Sequence, residues 1–234
     1  MGFRAAARRE VGDSLWHHDL VKILLVDDHR LLAEALADLI QVRFPSCAIT
    51  HAFSLAEALS KLTDDVRLVL LDLGLPDASG LEAVRAVRAH AQQARIVVLS
   101  ADDRAETVRS AIELGASGFV PKQAKSDQLL RALSAVLDGS VTLPATAVAS
   151  LTAESGVPAS HGEDLGLTPR QRDVLRLLIE GLPNKLISRS LGLSESSVKT
   201  HLDAIYRRLG VSSRTQAVLA VARLGLRFKP PEVD

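Results

Sequence analysis

Residues 22–28 read Lys-Ile-Leu-Leu-Val-Asp-Asp, a short apolar run that ends in two carboxylates. A continuous apolar run of this length is typical of a strand that is buried on both faces of a sheet. Similar strand-like runs follow at 48–53, 67–71, 96–99 and 118–120. Helical patterns separate and follow them, at 31–40, 55–62, from Gly80, at 103–114 and at 127–137. Five strands that alternate with five helices predict an α/β fold with a doubly wound parallel sheet, of the flavodoxin-like kind.

Beyond residue 162 the pattern changes to four short helices, which predicts a second, smaller, all-α domain. Thr168 and Gln171 form a capping box for the first of these helices, with Pro169 at its first position. Residues 191–202, Leu-Gly-Leu-Ser-Glu-Ser-Ser-Val-Lys-Thr-His-Leu, indicate a tight turn that leads into another helix. Gly192 suits the turn of a helix-turn-helix, and Ser194 is a natural N-cap.

The helix after Ser194 has two different faces. Its apolar residues recur at helical spacing: Val198, Leu202, Ile205 and Leu209. Its polar face carries side chains that can form hydrogen bonds: Ser196, Lys199, Thr200, Asp203 and Arg207. A helix that is buried on one side and polar on the other suits the major groove of DNA. Taken alone, the same pattern also fits an ordinary amphipathic surface helix.

Charge is divided unevenly although the whole chain is formally neutral. Residues 22–140 hold 13 Lys and Arg against 16 Asp and Glu, whereas residues 168–229 hold 12 against 4. A basic C-terminal module therefore favours nucleic acid as a partner at that end alone. Cys47 is the only cysteine, which excludes an intrachain disulfide and fits a cytoplasmic protein. No apolar run is long enough to span a membrane.

The sequence suggests five segments. Residues 1–20 are expected to be a disordered extension, and residues 21–138 the α/β domain. Residues 139–162 are rich in small and polar side chains and predict a linker, with a short helix from Pro144 to Leu151. Residues 163–228 make the helical domain, and 229–234 a tail.

Polar residues stand where four of the predicted strands end. Asp27 and Asp28 follow the first strand, Asp72 the third, Ser100 the fourth and Lys122 the fifth. Because the carboxyl ends of parallel strands share one edge of a sheet, these groups are expected to converge there. Clustered carboxylates repel each other, and Mg²⁺, a hard cation that prefers oxygen ligands, would relieve that repulsion. Asp72 could then act as a nucleophile on phosphorus.

Three motifs resemble the receiver domain of bacterial response regulators. They are Ile-Leu-Leu-Val-Asp-Asp-His at 23–29, Leu-Asp-Leu-Gly-Leu-Pro-Asp at 71–77 and Gly-Phe-Val-Pro-Lys at 118–122. The C-terminal block resembles the LuxR-type helix-turn-helix. Together they are similar to a NarL/FixJ-type two-component response regulator, over roughly residues 21–138 and 163–228.

This resemblance implies roles for individual residues. Asp72 matches the phosphoryl acceptor, and Lys122 matches the lysine of the family. Asp27, Asp28, Asp72 and the carbonyl of Gly74 match the Mg²⁺ ligands. Ser100 and Phe119 match the switch pair, in which the hydroxyl turns toward the phosphate and the ring then turns inward.

The resemblance also implies partners. They are a sensor histidine kinase, double-stranded promoter DNA, a second copy of the chain after phosphorylation, and RNA polymerase. Residues that would contact DNA are Lys185, Ser196, Lys199, Thr200, His201 and Arg207. The last helix offers Val218, Val221 and Leu224 as an apolar patch for pairing two DNA-binding domains.

The helical domain departs from the family pattern at three positions. Gln171 replaces a Glu, and Pro183 replaces a frequent Ser. Asp203 stands where relatives often have a basic or neutral residue, which argues against a base contact there, because a carboxylate repels phosphate. The remaining histidines at 17, 18, 51, 90 and 161 lack metal-ligand spacing.

Two other functions are compatible with an aspartate pocket. A phosphatase that uses an aspartyl phosphate typically has a second Asp two residues after the nucleophile, and here that position is Gly74. The chain is therefore expected to be a regulator rather than an enzyme. A scaffold that never accepts phosphate is the other alternative, and the complete acidic set argues against it. In the same stretch, Asp77 is expected to be a turn former or N-cap.

Overall fold

The structure, a computed structural model, describes residues 20–140, 142–144 and 165–224. The expectations for the N-terminal extension, for most of the linker and for the tail lie outside these residues. Within the described part of the chain, no helix is both long and apolar enough to cross a membrane.

The first domain is built on a five-stranded sheet whose strands are all parallel. The strands are β1 (Val21–Val26), β2 (Cys47–Ala52), β3 (Val66–Asp72), β4 (Arg95–Ser100) and β5 (Gly118–Pro121). Their order across the sheet is β2-β1-β3-β4-β5, which places β3 in the centre. The predicted parallel sheet is confirmed, and its observed strand ends differ from the predicted ones by at most one residue.

Helices cover both faces of this sheet, which is why the strands are apolar throughout. The helices are α1 (Arg30–Arg43), α2 (Leu55–Lys61), α3 (Leu81–His90), α4 (Ala105–Glu113) and α5 (Ser126–Leu137). One buried cluster joins the sheet to α2, α3 and α4, and a second joins it to α1 and α5. The doubly wound arrangement is therefore confirmed.

The C-terminal region forms four helices around a core of its own. They are α6 (Pro169–Ile179), α7 (Asn184–Leu191), α8 (Glu195–Leu209) and α9 (Arg214–Arg223). The predicted capping box is present, since Thr168 N–H donates to Gln171 Oε1 at 2.9 Å and Gln171 N–H donates to Thr168 Oγ1 at 3.3 Å. Gly192 ends α7 in the left-handed region, at φ 62°, and Ser194 accepts from the N–H of Ser197 to begin α8.

A half-buried arginine links the helices of this region. The guanidinium of Arg214, at the start of α9, donates to the carbonyls of Leu178 and Leu182 at 3.0 and 2.6 Å. It also donates to Asn184 Oδ1 at 3.3 Å. The loop between α6 and α7 therefore depends on one side chain from the last helix.

The chain after α5 returns to the sheet before the predicted linker helix. Thr142 forms an isolated parallel bridge with Gly118, and its carbonyl accepts from the N–H of Phe119 at 3.0 Å. Thr142 therefore lies beside β5 at the edge of the sheet. Beyond Pro144, the predicted helix falls outside the described residues.

The two regions touch through α9. Leu219 of α9 is 3% exposed and belongs to the same buried cluster as the helices α2 to α4. Val221 is 2% exposed inside the core of α6 to α9, where Val218 also packs. The prediction that Val218, Val221 and Leu224 form one apolar surface patch is wrong for Val221. The side chain of Val221 is buried in the core of α6 to α9.

We expect the substitution Arg214→Lys to lower the free energy of unfolding of α6 to α9 by about 2 kcal/mol, because one ammonium cannot replace a forked donor to three acceptors. Arg189→Lys on the exposed side of α7 is the matched control, with a change within about 0.5 kcal/mol. Tyr206 is the only tyrosine, so urea titration of 3-fluorotyrosine-labelled protein by ¹⁹F NMR reports this domain alone. Equal effects of the two substitutions would contradict the role of Arg214.

Candidate functional site

Polar side chains converge at the carboxyl edge of the sheet, as the sequence predicts. Asp27 follows β1, Asp72 and Ser100 end β3 and β4, and Lys122 follows β5. Asp27, Asp72 and Ser100 are at most 4% exposed. They adjoin an open cleft of about 830 Å³, which is lined by His29, Leu32, Asp72, Leu73, Gly74, Ser79, Gly80, Leu81, Ser100, Ala101, Asp102, Thr107 and Lys122.

Lys122 holds the two buried carboxylates together. Its ammonium donates to Asp72 Oδ2 at 2.7 Å and lies 2.9 Å from Asp27 Oδ2. Burial lowers the pKa of Lys122, but the hydrogen bonds and charges of Asp72 and Asp27 outweigh it, so the pKa is raised on balance. The lysine is therefore charged at neutral pH and offsets the repulsion between the carboxylates.

Four neighbouring side chains could hold a metal ion. Ligand atoms of Asp27, Asp28, His29 and Asp72 all lie within 4.8 Å of one another. Asp28 Oδ1 is buried and accepts no hydrogen bond within the described part of the chain, although His29 Nδ1 is 2.7 Å away. An under-used carboxylate oxygen in a set of three acids fits the oxygen chemistry of Mg²⁺.

Sequence reasoning did not assign His29 to this set. Its backbone N–H donates to Asp27 Oδ1 at 2.9 Å, and its ring nitrogen is 3.2 Å from the same oxygen. The ring is 66% exposed, so it borders the acids on their solvent side. Its position directly after Asp27 and Asp28 in the sequence could have indicated that it lies beside these acids.

Gly74 leaves room beside the carboxylate of Asp72. A Cβ atom at this position would lie 3.3 Å from Asp72 Oδ2, which is tighter than ordinary van der Waals contact. A side chain here would crowd the carboxylate, and the absence of one keeps the cleft open next to Asp72.

The Ser100 hydroxyl is fixed by the loop that follows it. Ser100 Oγ accepts from the N–H of Asp102 at 3.0 Å. Asp102 in turn accepts from Arg104 through Nε and Nη2, both at 2.8 Å, and from Thr107 Oγ1 at 2.9 Å. Arg104 and then Thr107 hold the pKa of Asp102 well below its usual range. Sequence reasoning missed this cluster, which orders the start of α4.

Two further residues of the sequence motifs have defined surroundings. The ring of Phe119 is 1% exposed and belongs to the buried cluster that joins the sheet to α2, α3 and α4. Asp77 does act as a cap, but for another element: it accepts from the N–H groups of Leu55 and Ala56 at 2.8 and 2.9 Å. These backbone hydrogen bonds lower the pKa of Asp77 and tie the loop after β3 to α2.

Helix α8 has the two faces that were predicted for a DNA-reading helix. Val198, Leu202 and Ile205 are buried in the core of α6 to α9. The predicted contact residues Ser196, Lys199, Thr200 and Arg207 are exposed, as is Asp203, and His201 is half-buried. Thr200 Oγ1 donates to the carbonyl of Ser196 at 3.1 Å, so its hydroxyl is partly engaged within the helix.

Lys185 lies apart from the other predicted contacts, on α7. It is half-buried.

Both halves of the chain match known protein families. The model of the response regulator receiver domain matches residues 23–134. The model of the LuxR family of bacterial regulatory proteins matches residues 165–221.

Full-length relatives have the same arrangement. The nitrate/nitrite response regulator protein NarL of Escherichia coli K12 is 34% identical over 203 residues, which make up 85% of this chain and 94% of NarL. The DNA-binding transcriptional activator DevR/DosR of Mycobacterium tuberculosis H37Rv is 35% identical over 216 residues, or 91% of this chain and 98% of that protein. The structure of the RcsB response regulator of Salmonella typhimurium superposes with a TM-score of 0.53 at 19% identity, covering 86% of this chain and 97% of RcsB, which supports the fold.

We expect Lys122→Met to destabilise the first domain by about 3 kcal/mol without Mg²⁺, because two buried carboxylates then lack a cation between them. Added Mg²⁺ should recover most of that loss, so its effect on the melting temperature should be larger in the variant than in the unchanged protein. Calorimetric melting with and without Mg²⁺ measures both. Lys125→Met, at an exposed lysine, is the control and should change neither value; an equal Mg²⁺ effect in all three proteins would be the contrary result.

Proposed function

Because the chain belongs to the response regulators that join a receiver domain to a LuxR-type DNA-binding domain, we propose that phosphorylation of Asp72 controls its binding to promoter DNA. The observation that carries this proposal is the ion-paired set of Asp27, Asp72 and Lys122 at the edge of the sheet. We assign residues 21–138 to the receiver and residues 163–228 to the DNA-binding domain.

Asp72 is the proposed phosphoryl acceptor. One of its carboxylate oxygens attacks the phosphorus of the donor, the bond from phosphorus to the donor's leaving group breaks, and an acyl phosphate forms. The ammonium of Lys122 lies 2.7 Å from Asp72 Oδ2, so it can bind an oxygen of the new phosphoryl group and offset its negative charge. Ser100 can leave the N–H of Asp102 and donate its hydroxyl to the phosphoryl oxygens.

Mg²⁺ is the proposed cofactor, held by Asp27, Asp28, Asp72 and the carbonyl of Gly74. When bound, it supplies positive charge against the phosphoryl oxygens. The chain's own acids bind it, and the open space beside Gly74 admits the phosphoryl group. The proposed donor is a sensor histidine kinase.

Promoter DNA is the proposed target of the C-terminal domain. Lys199 and Thr200 lie one turn into α8, where base edges are reached, with Ser196, His201 and Arg207 beside them. We assign Lys185 a contact with a phosphate of the DNA backbone. The phosphorylated protein is proposed to pair as a homodimer on two half-sites, with RNA polymerase as a further partner, in the cytoplasm.

The alternative functions are less well supported. The relatives are transcription regulators, and the chain is a regulator rather than an enzyme. A phosphatase would need a general acid near Asp72, where the chain has Gly74 instead. A scaffold that never accepts phosphate would not need Asp27, Asp72 and Lys122 to be paired at the edge of the sheet.

A small acyl phosphate donor should add one phosphoryl group to the protein, at Asp72. The reaction should require Mg²⁺, because the acids repel a dianion until a cation neutralises them. Intact-protein mass spectrometry measures the uptake, and Asp72→Asn should abolish it. Asp64→Asn, at an exposed acid, is the matched control and should label normally. Label that persists in Asp72→Asn, or uptake that a chelator leaves unchanged, would falsify the assignment.

Substitutions in the C-terminal domain should separate base reading from phosphate binding. Lys199→Ala should cost roughly 1–3 kcal/mol on the cognate operator if the lysine reads a guanine. Lys185→Ala should weaken all sequences about equally and reduce the salt slope by about one unit. Both operator affinity and its salt dependence are measured by fluorescence anisotropy titrations at several salt concentrations. The operators are first identified by mapping binding sites across the genome. Lys125→Ala in the receiver is the control; undiminished operator affinity of Lys199→Ala would exclude α8 as the reading helix.

A further inference from the structure

Helix α8 carries a carboxylate in the middle of its outward face. The inward side of the helix is fixed by three buried residues, Val198, Leu202 and Ile205. At about 100° of rotation per residue, Asp203 lies within about 50° of the direction opposite to them. Along the helix axis it stands between the proposed DNA contacts Thr200 and Arg207, about 5 Å from the first and about 6 Å from the second.

The other acids of the C-terminal domain have a structural role that Asp203 lacks. Residues 165–224 contain four acids. Asp173 and Glu180 form ion pairs with arginines one turn away on α6, at 3.8 and 3.0 Å. Glu195 stands in the first turn of α8, where the helix dipole favours a negative charge. Asp203 stands in the middle of α8, where the dipole offers no such benefit.

The basic residues one turn away from Asp203 leave its carboxylate free. Lys199 and Arg207 are placed four residues before and four residues after it, which is the spacing at which ion pairs form on a helix. Within the described part of this domain, neither of them is paired with Asp203. Nε of Arg207 donates to the backbone carbonyl of Asp203 at 3.4 Å instead. The side chain of Asp203 is exposed, so both carboxylate oxygens are available to a donor outside the chain.

A free carboxylate is costly on a helix that enters the major groove of DNA. The phosphates repel it, and docking removes the water that solvates it, so a donor on a base edge is needed to offset that cost. Cytosine presents its N4 amino group as a donor in the major groove. Adenine presents a donor beside the N7 acceptor, whereas guanine and thymine present only acceptors to a carboxylate. Cytosine is therefore the base that suits a carboxylate best.

We propose that Asp203 selects a cytosine in the operator and rejects guanine at the same position. The sequence alone argues against a base contact here, because a carboxylate repels phosphate. The structure supplies the direction: the middle of the outward face points to the floor of the groove, and the phosphates line its two rims. This choice of base rests on the proposed binding of promoter DNA by the C-terminal domain. Asp203 adds specificity at the expense of affinity for DNA of unrelated sequence.

Selection from a duplex library with a random segment of about 20 base pairs locates the position that Asp203 reads. Full-length protein is used, with and without treatment by an acyl phosphate and Mg²⁺. The unchanged protein should favour cytosine about tenfold over the other bases at one position, and Asp203→Ala should reduce this preference to about twofold. Asp203→Asn should move the preference toward adenine, because an amide both donates and accepts. Loss of structure alone would not produce that move.

Asp173→Ala is the matched control. It removes the same charge from the same domain, at a side chain on α6 that is 48% exposed. Its base preferences should match those of the unchanged protein. Asp203→Ala should also bind a duplex that lacks the operator about threefold more tightly, because one repulsive charge is gone. A cytosine preference in Asp203→Ala equal to that in Asp173→Ala would overturn the inference.

A base analogue tests the proposed hydrogen bond directly. Replacing the selected cytosine by 2-pyrimidinone removes the N4 amino group and keeps the ring. In anisotropy titrations the unchanged protein should bind this operator about tenfold more weakly, whereas Asp203→Ala should bind both operators equally to within about twofold. An equal loss of affinity in the two proteins would show that the amino group is not bound by Asp203.

The selection also separates this inference from the proposed function. If the protein enriches no sequence with or without phosphorylation, sequence-specific DNA binding fails and the choice of cytosine fails with it. If the protein enriches an operator whose base preferences are the same in Asp203→Ala, DNA binding stands and the role of Asp203 is wrong. If Lys199→Ala changes one position and Asp203→Ala changes another, both residues read bases and α8 is the reading helix.

Discussion

The ammonium of Lys122 between the carboxylates of Asp27 and Asp72 is the interaction on which the first domain depends. Asp27 and Asp72 are almost completely buried, and two like charges at that depth are tolerated only beside a cation. The three residues follow β1, β3 and β5, so their meeting requires the parallel order of the sheet. The same parallel order places the carboxylate of Asp72 next to an open cleft.

Helix α4 connects this edge to the second domain, because both of its ends are fixed by polar contacts. At its beginning, the carboxylate of Asp102 bonds to Arg104 and Thr107 while its N–H holds Ser100. At its end, the carbonyls of Ile112 and Glu113 face Gln216. Helix α4 therefore has polar contacts with the edge of the sheet at one end and with the second domain at the other.

The sequence was sufficient for features that depend on local pattern. Apolar runs such as 22–26 predicted the parallel sheet, and the residues at the strand ends predicted the acidic edge. It was insufficient where the outcome depends on distant parts of the chain. The hydrogen bond from Gln216 Nε2 to the carbonyl of Glu113 joins residues about one hundred positions apart. Val221 could be placed in a core only once the packing of α9 was known.

The amide of Gln216 has a consequence for what is released when the two domains separate. Its oxygen secures the first turn of its own helix through Ser212, and its nitrogen serves the neighbouring helix. Separating the domains would break the bonds of this nitrogen together with the contacts of Thr215, Leu219 and Arg223, whereas the bonds to Ser212 lie within the second domain. The hydrogen bonds that begin α9 are therefore independent of the first domain, and the first turn of this helix needs no contact with that domain to form.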